Sequence, residues 1–295
     1  MKYTVLLFYQ YVEIAIPEIV QKTQRQLCER LHLKGRIIVA YNGINATVEG
    51  QDDSIEEYIT EMKQDPRFAD IVFKKSEGTG KALPKLQVRV RKDLVSDKTD
   101  EWGVDPHVVT GKYLTAEELH EWIHTEKKFY IMDMRNDYEH KSGQFLGSIL
   151  PPIETFRDLP NVLPQLKQYD DRPIVTVCTG GIRCERASGL LIKHGFKDVY
   201  QLQDGIVTYM EKYPNEDFLG KLYVFDNRIL MGFNTDSAEH KVIGKCESCG
   251  KSSEHYINCK NDNCHRHLII CEDCMNSDGT VTCPQGCRNM KYAVV

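Results

Sequence analysis

At 295 residues the chain is longer than one usual compact domain, so two or three separately packed cores are expected. With 41% hydrophobic and 27% charged residues and no low-complexity or heptad stretch, the composition excludes a fibre or a long disordered tail. A formal net charge of −5 argues against a wholly basic nucleic-acid surface, although a local patch can still hold phosphates.

The opening Met1 to Tyr9 carries one positive charge and a short apolar run soon interrupted by Gln10 and Glu13. That is too little for a signal peptide or a membrane span, so a cytoplasmic protein without membrane contact is expected. A strand at Val5 to Tyr9 precedes a helical stretch from Pro17 to Leu31. Arg36 to Tyr41 then runs into the turn signal Asn42-Gly43 and emerges as Ala46 to Glu49, a hairpin pattern. Ser54, with Glu57 three residues on, reads as the cap of a second helix with an apolar stripe at Ile55, Tyr58, Ile59 and Met62. Strands near Ile71-Val72-Phe73 and Leu86 to Val90 follow. This βαββαβ order suggests a ferredoxin-like α+β domain over residues 1–95, with helices on one face of an antiparallel sheet.

Lys74, Lys75, Lys81, Lys85, Arg89, Arg91 and Lys92 face only Glu77 in charge, and alternation would put both arginines on the solvent side. The plain reading is a solvated strand edge guarded by charge, and the alternative is a grip on RNA phosphates. The polar stretch from Ser96 to Gly111 reads as a linker. Beyond it a helix starts at Thr115-Ala116-Glu117-Glu118, Tyr130 to Asp133 is a strand, and Pro173 to Val177 is a β-branched strand ending at Cys178. Helix and strand alternate, which predicts an α/β domain with a parallel sheet over residues 112–219.

Cys178-Thr179-Gly180-Gly181-Ile182-Arg183-Cys184 lies between that strand and a helix with apolar positions Ala187, Leu190 and Leu191 that ends near Gly195. Two glycines let backbone N–H groups converge, the helix N-terminus adds positive potential, and Arg183 completes the surroundings of an anion. A thiolate at Cys178 is stabilised in such a place, and the thiolate is the nucleophile and sulfur carrier. An inert strand-end cysteine is the bland alternative. Cys184 is either a resolving thiol or a passive residue of the first helical turn.

Eight of the eleven cysteines fall after residue 245, within the last segment, 220–295. Cys246 and Cys249, Cys259 and Cys264, Cys271 and Cys274, and Cys283 and Cys287 form close pairs that suit two structural zinc ions with four thiolates each, in a module over 246–287. Both the alternating grouping (Cys246, Cys249, Cys271, Cys274 against Cys259, Cys264, Cys283, Cys287) and sequential pairing satisfy the count. His255, His265 and His267 are then surface or supporting residues.

Asp133-Met134-Arg135-Asn136-Asp137-Tyr138-Glu139, then Gly143, Phe145 and Gly147, the Cys178 loop and Asp204-Gly205-Ile206 resemble a single rhodanese domain. Related cysteine phosphatases place one more residue between the cysteine and the arginine, so the resemblance implies sulfur chemistry rather than phosphate chemistry. Asp133 and Arg135 read as an internal hydrogen-bonded pair. Gly35 to Ala40 with Gly43-Ile44-Asn45-Ala46-Thr47, the loop through Glu185, and Gly220 to Arg228 together resemble nearly the full length of the rhodanese-like tRNA uridine hydroxylases, with departures at Asn42 and Ala46. That resemblance implies conversion of the wobble uridine of tRNA to 5-hydroxyuridine with molecular oxygen as cosubstrate, Cys178 as the active-site cysteine, and the anticodon loop as partner. Arg183 is expected to orient an oxyanionic partner. The chain shows no glycine-rich nucleotide fingerprint and no recognisable facial triad for iron, so a thiol or persulfide is the expected source of reducing equivalents. A persulfide-carrying sulfurtransferase and a non-enzymatic adaptor are the other two classes.

Overall fold

The computed structural model describes residues 2–95, 99–264, 266–284 and 286–287. Its first layer comprises β1 (Tyr3–Tyr11), α1 (Pro17–Arg30), β2 (Lys34–Ala40), β3 (Gly43–Gln51), α2 (Asp52–Met62), β4 (Lys74–Gly78) and β5 (Leu86–Val90). The sheet order is β4-β1-β3-β2-β5, with antiparallel neighbours except for β5, which lies parallel to β2. The ferredoxin-like arrangement thus gains a fifth strand on one edge.

Because successive side chains of a strand point to opposite faces, β1 serves two cores. Leu6 and Phe8 pack under the helices with Val20, Leu27, Ile55 and Tyr58, whereas Leu7 packs against the core of the second domain. Register decides what joins Leu7 on that open face. Leu7 pairs with Lys74 of β4, and directly paired residues share a face.

Three local expectations shift. Ile71 and Phe73 pack against the first core from an extended connection, and the strand itself begins at Lys74. Helix α2 begins at Asp52, before Ser54, and Asp52 and Asp53 in its first turn complement the helix dipole in place of a side-chain cap. Lys74 is no solvated edge lysine but is buried, while Arg89 is exposed and Arg91 half-buried.

The second layer holds β6 (Lys112–Leu114), α3 (Ala116–Ile123), β7 (Tyr130–Asp133), β8 (Gly143–Phe145), α4 (Leu159–Leu166), β9 (Ile174–Val177), α5 (Ile182–Lys193), β10 (Val199–Leu202) and α6 (Gly205–Lys212). The parallel order β6-β10-β9-β7 buries all four residues of β9, as a sheet covered on both faces requires. Thr115 caps α3 in a reciprocal box with Glu118. The stretch expected as a plain linker packs down on this domain: Trp102, Val104 and Val109 join its core. A Cβ at Gly189 would lie 2.5 Å from the Val109 carbonyl oxygen, so a side chain there would lift the segment off α5.

The remainder is short pairs: β11 (Phe218–Gly220) on β8, β12 (Leu222–Tyr223) with β13 (Leu230–Met231), and β14 (Tyr256–Asn258) with β15 (His267–Ile269). Between β12 and β13 the chain straps the first domain to the rest. Arg228 bonds Asp226, the Ser76 hydroxyl and the Glu77 carbonyl, the Asn227 N–H donates to the Ala82 carbonyl, and Arg36 reaches the Phe225 carbonyl. Among the described residues no helix is long and apolar enough to cross a membrane.

A second tie is the buried pair Arg186 to Asp93 at 2.6 Å, which joins α5 to the end of the first domain. Removing one partner of such a pair leaves a buried charge without its counterion. Asp93→Ala is therefore expected to cost about 3–5 kcal/mol and to lower the melting temperature in differential scanning fluorimetry. Lys75→Ala, which breaks only an exposed pair with Glu56, is expected to cost about 0–1 kcal/mol.

Candidate functional site

The loop after β9 folds around the Cys178 sulfur. Gly181 adopts φ +100°, a conformation that disfavours other residues, and its N–H donates to Cys178 Sγ at 3.2 Å. Helix α6 braces the loop from behind: the N–H groups of Ile206 and Val207 donate to the carbonyls of Cys178 and Thr179 at 2.9 and 3.0 Å. Gly205 makes that approach possible, since a Cβ there would sit 2.5 Å from the Gly181 nitrogen.

Cys178 is only 1% exposed. Burial by itself pushes its thiol up, but the Cys184 thiol donating to it, the Arg183 charge, and backbone N–H groups of Cys184 and Arg183 together bring it down to about 6. Cys184 moves the opposite way, held well above the usual thiol range by burial and by its bond to Cys178. The contact that lowers Cys178 raises Cys184, so the negative charge is favoured on Cys178.

Arg183 sits at the loop as the spacing suggested, but its guanidinium is turned to Glu139, which it grips through two bonds of 2.5 and 2.8 Å, and to the Thr179 hydroxyl at 3.3 Å. Its charge lies beside the sulfur while its donors are committed to a buried carboxylate. Asp133 and Arg135 form the expected internal pair, fully buried, with Arg135 also donating to the Gly143 carbonyl at 2.7 Å.

The sequence reading missed the other wall of the site, which comes from the first domain. Tyr9 and Lys74 project from the open face of the first sheet. A Cβ at Gly181 would lie 2.8 Å from the Tyr9 hydroxyl oxygen, and the Tyr9 hydroxyl donates to Glu185 at 3.1 Å. Glu185 also accepts from Tyr113, Thr110 and Gln201. Lys74 pairs with Asp204 at 3.2 Å, and Asp204 itself holds a left-handed φ of +63° just before Gly205. Beside this wall opens a cleft of about 260 Å³ lined by, among others, Tyr9, Tyr11, His107, Tyr113, Glu185 and Asp204. Strand alternation puts Tyr9 on the face of Leu7, but only the β1–β4 register separates Lys74 from its basic neighbours.

The eight C-terminal cysteines gather in the alternating grouping: Cys246, Cys249, Cys271 and Cys274 in one cluster, Cys259, Cys264, Cys283 and Cys287 in the other, each with its ligand atoms within 4.8 Å of one another. Sulfur separations of 3.5 Å (Cys249 to Cys271) and 3.6 Å (Cys264 to Cys283) are close to the roughly 3.8 Å between thiolates on a tetrahedral ion with metal–sulfur bonds of about 2.3 Å. Both clusters can hold a metal ion. His255 and His267 are engaged elsewhere, with the Ile270 carbonyl and the Tyr223 hydroxyl, and His265 lies outside the described residues. A third group on the surface, His120, His124, Glu216 and Asp217, consists of side chains already paired with one another.

A parallel sheet whose central strand delivers a cysteine into a glycine-bearing loop closed by a helix is the arrangement of rhodanese-type proteins, and the rhodanese-like domain profile matches residues 115–212. It is flanked by matches to the UPF0176 acylphosphatase-like domain over residues 3–94 and to the rhodanese C-terminal region over residues 219–288. Over 275 residues the chain is 44% identical to a tRNA uridine(34) hydroxylase of Bacillus licheniformis, covering 92% of this chain and 84% of that protein. Proteins of the same name from Staphylococcus carnosus and Staphylococcus aureus are 42% and 43% identical, each match covering 92% of this chain and 86% of the relative. The chain belongs to the tRNA uridine(34) hydroxylase family.

Proposed function

We propose that this enzyme hydroxylates the wobble uridine of tRNA, position 34, to 5-hydroxyuridine in an oxygen-dependent reaction, with Cys178 as the reactive group. The observation that carries this reading is the likeness to hydroxylases along nearly the whole chain, with the cysteine loop intact. The buried thiolate supports it, because a thiolate is the form that attacks an electrophilic base or passes electrons. In this reading Cys178 is nucleophile or redox centre, and Arg183 acts by holding Glu139 and the loop in shape. Inserting one oxygen atom and reducing the other to water consumes a pair of electrons from an external reductant.

The substrate part is the anticodon loop, whose unstacked bases enter a pocket more easily than paired ones. The aromatic cleft beside the Cys178 loop suits a base, since rings offer stacking surfaces. The first domain lines that cleft together with the second, and the first domain and the C-terminal module would hold the surrounding nucleotides, with the cytoplasm as the place of action. Nucleoside mass spectrometry of tRNA incubated with purified protein and a reductant tests the reading. 5-Hydroxyuridine is expected with oxygen, and at least about a hundredfold less with Cys178→Ala, the scale on which loss of a catalytic group is felt. Its formation at an unchanged rate in the variant would overturn Cys178 as the reactive group.

A second reading is persulfide carriage by Cys178, favoured by the rhodanese-like match and by the loop spacing. Thiosulfate turnover without oxygen and without tRNA modification would select it.

For the two cysteine clusters the proposed ion is zinc, in a structural role, because four thiolates at tetrahedral spacing suit it and a small module with little apolar sequence gains its stability from metal. Elemental analysis is expected to find two zinc ions per chain, consistent with one per cluster, and one in Cys271→Ser. Two ions retained in that variant would contradict the assignment.

A further inference from the structure

We propose that His120, His124, Glu216 and Asp217 form a third metal site, separate from the two cysteine clusters, for an exchangeable divalent cation of the zinc class. Such an ion ties the end of α3 to the turn between α6 and β11. The inference does not depend on the wobble-uridine reading, and its test measures no modification of tRNA.

The two imidazoles lie one helical turn apart. His120 sits in the last turn of α3 and His124 closes that helix, so the spacing of four brings both rings to one face, with their centroids 4.2 Å apart. Glu216 and Asp217 reach the same face from the turn ahead of β11. One ligand atom from each of the four side chains lies within 4.8 Å of those from the other three. Two of the approaches are not hydrogen bonds: His120 Nε2 stands 3.7 Å from Glu216 Oε2, and His124 Nε2 stands 3.6 Å from Asp217 Oδ1. Nitrogen and oxygen ligands on a tetrahedral ion with bonds of about 2.0–2.1 Å stand roughly 3.3 Å apart, so a small closure seats an ion between them.

The remaining atoms hold the rings as metal-binding histidines are held. His124 Nδ1 lies 2.9 Å from the His120 carbonyl oxygen, which only accepts, so Nδ1 carries the proton and the neutral ring turns the lone pair of Nε2 toward the carboxylates. His120 repeats the pattern, with Nδ1 3.2 Å from Asp217 Oδ2 and its ring stacked on Tyr213 at 3.9 Å. The Tyr209 hydroxyl donates to the same Asp217 oxygen, which leaves Oδ1 for an ion. Among the described residues neither carboxylate has a lysine or arginine partner. Two nitrogens and two oxygens suit zinc and its neighbours, whereas calcium and magnesium take oxygen ligands. The side chains of His124 and Glu216 are about half exposed, which gives the ion a path in and out. Lacking thiolates and open to water, the site holds its ion less tightly than the cysteine clusters and releases it on desalting.

The test is titration of the full-length, desalted protein, its cluster metals in place, with zinc in a calorimeter. One further equivalent is expected to bind, at least about tenfold more weakly in His124→Ala and in Glu216→Ala, whose side chains are exposed enough to be removed without disturbing the core. Long-range proton–nitrogen NMR spectra of the histidines identify the ligand atoms. The Nε2 resonances of His120 and His124 are expected to move together as that equivalent fills, and to stay unmoved with magnesium at the same concentration. No equivalent beyond the cluster metals, or a further equivalent of the same affinity in both variants, would overturn the proposal. Nε2 resonances that stay in place while zinc binds would overturn it as well.

Discussion

A charged sulfur in a dry interior sets the terms for the rest of this structure. Burial disfavours a thiolate strongly, so cations and N–H donors must be brought to it from several directions at fixed distances. The loop itself supplies only part of what is needed. Gly181 turns its N–H inward, Cys184 lends its proton, and Arg183 adds charge. Arg183 in turn needs Glu139, and the loop needs α6 packed against it through Gly205. Each of these parts is itself buried.

The same requirement links the domains. The first sheet leaves one face without helices, and that face is closed by the second domain rather than by solvent. Leu7 supplies apolar contact to the second core, and Tyr9 and Lys74 supply polar groups at the loop. The Asp226 to Arg228 strap and the Arg186–Asp93 pair hold the two bodies in register. On the far side, Tyr256 of the cysteine-rich module donates to the Tyr138 carbonyl, one residue from the glutamate that fixes Arg183. The Cys178 loop thus sits where three segments of chain meet.

Much of this was legible from residue pattern. Alternation and turn signals located most strands of the first domain, the β-branched run before Cys178 located the central parallel strand, and close cysteine pairs announced the C-terminal clusters. Where the reading slipped, a long-range contact had overridden a local signal. Ser54 with Glu57 resembles a capping box, but α2 starts at Asp52, immediately after β3 ends at Gln51. Ile71 and Phe73 look like a strand because they are apolar, yet they serve the core from a connection. Lys74 was indistinguishable from its basic neighbours because nothing local encodes which strand residue will lie opposite Leu7. The choice between alternating and sequential cysteine grouping likewise depends on how the module folds back on itself.

In the proposed function the wobble uridine is received where the first sheet meets the cysteine loop. A photo-crosslink from tRNA carrying a thiouridine at the wobble position, mapped by mass spectrometry, tests this most directly. Crosslinks to the Tyr9 strand, to Tyr113 or to the Cys178 loop are the expected result. Crosslinks confined to surfaces remote from that junction, with tRNA bound and modified all the same, would contradict it.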